Sequence, residues 1–309
     1  MTVKNNYIWT LWEKAQNFLF AEGHSERLGF MRFLLCGALF YNAIFRQLNI
    51  DQFTDLSLLP RNAALSVYPE FYRPYFQYFF WPDSMASSIH LVLIGLLFFG
   101  MLGLINRPLL FLTWVISQGF INRNYSMLFG ADLIGALFLF YLSFTNCTDY
   151  FSLKNRFFKP AQGHSATYFP DQLSTVFFRL MQIQICVIYM YTGFEKLKGN
   201  TWWDGTALWT VFANPQFSAF NLIWLKNFPL FFVVGTFVTV VFEIYFPAMV
   251  MNKKTRSYWL WTGVFFHLAI GITLGLMTFA LIMISTYFLF IDRLTLRQWS
   301  SGHFINFKK

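Results

Sequence analysis

The chain has 309 residues, 56% of them hydrophobic and 12% charged, with 23 Lys and Arg against 14 Asp and Glu. A soluble domain carries about 25% charged residues, so an ordinary soluble fold is excluded and a lipid environment is expected. The net charge of +9 is scattered over short segments between apolar runs instead of forming one stripe, which argues for membrane topology and against a nucleic-acid partner.

In chain order, residues 1–27 lack the basic start, short apolar run and small-residue cleavage site of a signal peptide. Ile8, Trp9, Leu11, Trp12, Phe18 and Leu19 alternate with Lys4, Glu13, Lys14 and Glu22, a pattern that reads as an N-terminal interfacial helix. Apolar runs then recur at 28–46, 88–106, 108–122, 128–146, 176–195, 228–250, 257–272 and 274–291. Spans of this kind cross a hydrocarbon core of about 30 Å. The expected fold is all-α: a polytopic transmembrane helical bundle of about eight spans over 28–292, with a short cytoplasmic tail at 293–309. No polar block is large enough for a separate soluble domain, and no repeat is visible.

With the N-terminus inside, fourteen basic residues fall in cytoplasmic segments and seven in the opposite ones, which places both termini in the cytoplasm. Two opposite segments are long and aromatic: 47–87, with Tyr68, Phe71, Tyr72 and Tyr75 among others, and 196–227, with Trp202, Trp203, Trp209 and Trp224. Both are expected to lie along the interface.

Ionisable groups inside a bilayer cost about 2.5–3.5 kcal/mol even on lenient insertion scales, so each must face the bundle interior or serve a purpose. Arg32 lies one turn into the first span, where its guanidinium is expected to snorkel to the headgroups. Asp132 and Glu243 cannot snorkel far and need a base; Arg123, in the turn with Asn122 and Asn124, is the expected partner of Asp132. Gln182 and Gln184 add polar groups to the fifth span. His267 sits in an apolar run where a neutral imidazole can satisfy a neighbouring carbonyl. No second His or Cys stands at ligand spacing, since His90 and His164 are on other segments, so no metal site is expected. Cys36, Cys147 and Cys186 read as apolar packing. Lys196 closes the fifth span, either as a helix-terminal lysine reaching water or as a base held beneath the aromatic segment that follows.

At these residues the sequence resembles the horizontally transferred transmembrane domain family, which includes the membrane domain of vitamin K-dependent gamma-carboxylase. The matching blocks are Phe30-Met31-Arg32-Phe33, Gly103-Leu104-Ile105-Asn106-Arg107, Asn122-Arg123-Asn124-Tyr125 followed by Asp132, and Tyr150-Phe151-Ser152-Leu153. They continue with Gln184 through Leu197, Trp203-Asp204-Gly205, Glu243, and Phe266-His267 ahead of Gly275. The resemblance implies a membrane-embedded gamma-carboxylase-like enzyme (carboxy-lyase and quinol epoxidase chemistry) in the bacterial inner membrane, acting at the non-cytoplasmic face. Lys196 falls on the carboxylase base, which deprotonates reduced vitamin K or a similar quinol so that oxygen can attack it. The alkoxide that results removes a gamma proton from peptidyl glutamate. His267 falls on a family histidine assigned to the quinone pocket, and is carried with Lys196 as catalytic.

Arg123, Asn124, Tyr191, Trp203 and Glu243 are the expected cofactor-binding residues. The carboxylases have a histidine where this chain has Arg123 or Asn124. They also carry a large domain after the membrane part, so here a peptide or a small soluble partner protein is expected to dock by other means. The competing expectation is a non-catalytic or partner-dependent membrane subunit for secreted-peptide maturation, or a lipid- or quinone-binding protein. A transporter ranks below both, because no paired broken helices or matching halves are visible.

Overall fold

A computed structural model describes residues 25–154, 171–216, 218–220 and 223–300, with six positions between 9 and 19. Every regular element among the described residues is a helix. The long ones are α1 (Ser25–Gln47), α2 (Asp83–Leu102), α3 (Arg107–Arg123), α4 (Gly130–Ser143), α5 (Asp171–Lys196), α6 (Pro229–Met251), α7 (Arg256–Thr273) and α8 (Met277–Tyr287). These eight fall on the eight apolar runs of the sequence.

Four of them, α1, α2, α5 and α6, are long and apolar enough to cross a membrane by themselves. The 11 residues of α8 rise only about 16 Å, half of a hydrocarbon core. Helix α2 begins earlier and ends earlier than its apolar run, because Gly103 takes φ 74° and closes it with a left-handed cap. Of the expected interfacial helix at 1–27, the six described positions are helical, with Trp9 and Trp12 exposed; the remainder up to residue 24 lies outside the described residues. The tail at 293–309 opens with a further helix, α9 (Arg293–Ser300), and residues 301–309 lie outside the described residues.

The chain divides into two compact units, residues 1–181 with 292–309, and residues 182–291. In the first unit α1 packs on α2, α3 on α4, and α9 returns to α1. The return is electrostatic: buried Glu26 accepts from Arg297 Nε at 2.7 Å and from Arg293 Nε at 3.1 Å. Leu91, Val92, Phe98 and Phe99 of α2 are exposed, as expected of a face turned to lipid tails.

Arg32 departs from its expected place at the headgroups. It is 0% exposed, and its guanidinium donates to the carbonyls of Cys147 (3.0 Å), Met101 (2.8 Å), Gly100 and Phe151. Two of those carbonyls belong to the last turn of α2; that of Gly100 also accepts from the Gly103 amide that caps the helix, at 3.0 Å. Arg32 therefore ties the end of α2 to the stretch after α4.

Asp132 also departs from expectation in its partner. Its Oδ2 lies 2.7 Å from Arg46, not Arg123, and accepts from the Phe129 amide at 3.0 Å, which caps α4. Asn42 reaches Oδ1 at 3.3 Å. Arg46, Asp132, Asn42 and buried His90 line one side of a cavity of about 40 Å³ within this unit. That is room for one to three waters beside groups able to hold them.

Candidate active site

The second unit holds Lys196, Glu243 and His267 of the ionisable residues singled out by sequence. Helix α5 presents Tyr189, Gly193 and Lys196 on one face, since positions i, i+4 and i+7 align along a helix. That face lies against α6. A Cβ at Gly193 would meet Ile244 Cγ1 at 2.7 Å and the Ile244 amide nitrogen at 3.0 Å, so only glycine permits this approach of the two helices. The close approach lets Lys196 Nζ reach Glu243 Oε2 at 2.6 Å. Pro247 lies one turn on from Glu243 and lacks the amide that would otherwise bond to the Glu243 carbonyl. We expect Gly193→Leu to lower the thermal midpoint of the detergent-solubilised protein by several degrees, an overpacking cost of about 1–3 kcal/mol. A midpoint equal to wild type would show that the helices do not meet here.

The Lys196 side chain is 22% exposed and that of Glu243 9%. Trp202, in the helical turn Asn200–Trp203, covers the ammonium at 5.3 Å from its ring centre, a cation–π contact that also shields it from water. Just beyond, the Asp204 side chain accepts from both the hydroxyl and the amide of Thr206, which holds its carboxyl below the ordinary range. The stabilisation this gives the turn is present at neutral pH and is lost as pH falls through the lowered value.

A second cluster lies deeper in the same unit. His267 Nε2 is 2.5 Å from Tyr189 Oη, which is 2.5 Å from Tyr287 Oη. All three are buried, and Phe246 stacks on Tyr189 at 3.9 Å. Tyr287 enters only because α7 carries glycine at 263, where a Cβ would strike its phenol oxygen. Tyr189 and Tyr287 carry no charge, so sequence reading gave them no role, although Tyr189 lies within the matching block Gln184 through Leu197. The available signal for Tyr189 was its place seven residues before Lys196 on the same face.

The other expected cofactor-binding residues lie elsewhere. Tyr191 is 63% exposed, two positions away from the buried face. Trp203 is also 63% exposed and donates from Nε1 to the Leu197 carbonyl at 2.7 Å; its neighbour Trp202 is the one above Lys196. Arg123 and Asn124 belong to the first unit. Arg123 Nη2 pairs with Asp55 and Nη1 with the Leu59 carbonyl, both at 2.8 Å, while Asn124 donates to the Gln52 carbonyl. Together they fasten the aromatic segment after α1 onto the end of α3. Among the described residues no group of three or more His, Cys, Asp or Glu could hold a metal ion.

A family model for the HTTM domain matches residues 124–294. Sporulation-delaying protein SdpB of Bacillus subtilis (strain 168) is 32% identical over 128 residues, 38% of this chain and 39% of SdpB. The uncharacterized protein YitO of the same organism is 30% identical over 118 residues, 36% of this chain and 38% of YitO. The chain thus spans about two fifths of the length of the curated relatives it matches. No solved structure matches it. The HTTM domain is related to the membrane domain of vitamin K-dependent gamma-carboxylase. With the match running over more than half of its residues, Lys196, Glu243 and His267 among them, this integral membrane protein belongs to the HTTM domain family.

Proposed function

We propose that the unit formed by residues 182–291 is the reaction centre of a gamma-carboxylase-like membrane enzyme, in which Lys196 is the base toward a reduced quinone or a similar lipid-soluble cofactor. The observation that carries this reading is the 2.6 Å contact between Lys196 and Glu243 beneath Trp202. An ammonium is not a base, but an amine and a carboxylate in direct contact share one mobile proton. When that proton rests on Glu243, Lys196 is a free amine facing a partly dry site, able to take a proton from an acidic hydroxyl.

Aromatic walls and a buried imidazole suit an apolar ring that carries oxygen substituents. A reduced quinone, when bound, supplies such hydroxyls and the reducing equivalents of the reaction. The chain's own residues hold the ring, exclude water and receive a proton at Lys196 Nζ. Both termini lie in the cytoplasm, so that Lys196 faces the outside of the bacterial inner membrane and the reaction is coupled to carboxylation or another modification of a peptide. Glycosylation-type or cysteine-labelling topology mapping at residues 200 and 253 tests the orientation.

The decisive assay is menadiol-dependent turnover in membranes holding wild-type or Lys196→Ala protein. Full activity in the variant would overturn the reading. A second reading is a partner-dependent membrane subunit for secreted-peptide maturation. It is favoured by the similarity to SdpB, whose name describes an effect on sporulation and not a reaction. A small soluble protein that copurifies with the chain, with no quinone in the lipid extract, would support it.

A further inference from the structure

We infer that Tyr189, itself hydrogen-bonded to Tyr287, is a positioning residue that holds His267 as a hydrogen-bond donor through Nδ1, aimed at an oxygen acceptor on an apolar ligand. The inference rests on the reading above that this unit takes a lipid-soluble cofactor.

His267 is 2% exposed, and among the described residues its Nδ1 is buried with no hydrogen-bond partner. Its Nε2 meets Tyr189 Oη, whose other contact is Tyr287 Oη. A neutral imidazole has one N–H, each phenol has one O–H, and a phenol oxygen can accept twice, so three arrangements keep both contacts bonded. In the first, Tyr287 donates to Tyr189, Tyr189 donates to Nε2, and the imidazole proton sits on Nδ1. One group, the Nδ1–H, is then left without a partner. In the second, Nε2–H donates to Tyr189 and Tyr189 to Tyr287. Both the Tyr287 hydroxyl proton and the Nδ1 lone pair are then left over; in the third, Tyr189 accepts from Nε2–H and from Tyr287, and its own hydroxyl proton and the Nδ1 lone pair are left over. Each unmet buried polar group is costly, so the first arrangement prevails. His267 thus stands as a donor that lacks an acceptor.

Its surroundings define the rest of the ligand. Phe266 and Phe279 present edge-on contacts to the imidazole at 5.2 and 5.5 Å, and among the described residues no charged side chain is bonded to it. An acceptor oxygen borne on a ring or chain of carbon satisfies this site; a hydrated anion does not. Tyr287 touches no part of such a ligand. Its effect passes through Tyr189, whose stacking on Phe246 fixes the hydroxyl in place.

The test uses the full chain in nanodiscs with 15N-labelled histidine, the His267 signals being assigned by their loss in His267→Gln. Binding is read with menadione and with 2-methylnaphthalene, which keeps the rings and lacks the oxygens. We expect the wild-type spectrum to show the proton on Nδ1. Tyr189→Phe, which keeps the stacked ring, is expected to give mixed tautomers and to weaken menadione about five- to tenfold with 2-methylnaphthalene unchanged. Tyr287→Phe is expected to keep the tautomer.

A wild-type proton on Nε2, or a Tyr189→Phe spectrum and affinity equal to wild type, overturns the inference. Equal weakening of both compounds overturns it too, as loss of packing alone. Retention of neither compound by the wild type rejects the quinol reading, and the spectrum alone then decides the tautomer. A Lys196→Gln protein with normal tautomer and normal menadione affinity but no turnover separates the base from the donor.

Discussion

Arg32→Met is expected to destabilise the protein by about 3–5 kcal/mol, read as a loss of the folded fraction in detergent titration or as a fall in thermal midpoint. The volume change is small, so the effect does not come from a cavity. It comes from the Cys147, Gly100, Met101 and Phe151 carbonyls, which lose their shared donor, the first two of them at buried bonds. Arg32→Lys should recover little of the loss, because one ammonium cannot reach the spread of carbonyls that a planar guanidinium fork bridges. A methionine variant as stable as wild type would mean that these carbonyls find other donors.

The second large effect concerns the charged pair of the second unit. Lys196→Met leaves the Glu243 carboxylate buried without its counter-charge, at a cost of about 3 kcal/mol. Glu243→Leu should cost less, because the partly exposed Lys196 can turn toward water. The double variant, with both charges gone, is expected to return close to wild-type stability, as buried pairs replaced by apolar residues often do. Turnover should follow a different rule. Removal of a general base lowers the rate about 10²–10⁴-fold, and the stable double variant should remain as inactive as Lys196→Met. Recovery of turnover together with stability would assign the pair a purely structural role.

Helix positions were legible because lipid imposes a length and an apolar composition on anything that crosses it. The ends were legible only where local chemistry fixes them, as at Gly103. Which charges pair was not legible, since that depends on the offset between helices distant in sequence. Asp132 meets Arg46, a partner 86 positions away, while Arg123, only nine away, turns to Asp55. Arg32 looked like a headgroup anchor because nothing local announces that residues 147–151 fold back over it. At the site, the ionisable members Lys196, Glu243 and His267 stood out against an apolar background. Helical periodicity alone could have preferred Tyr189 to Tyr191, because 189, 193 and 196 share a face and 191 is turned about 200° from 189.

The bond of Glu26 to Arg293 and Arg297 bears on how the protein is made. The carboxylate sits at the start of α1 and its two arginines lie in α9. While the ribosome is still delivering the intervening residues, α1 to α4 can gather but carry an acid that has no partner. Completion of the first unit therefore waits until residues 293–297 have been made, with the whole second unit threaded in between. A nascent chain stalled before residue 293 would display that uncompensated acid, a mark by which membrane quality control can tell an unfinished molecule from a finished one.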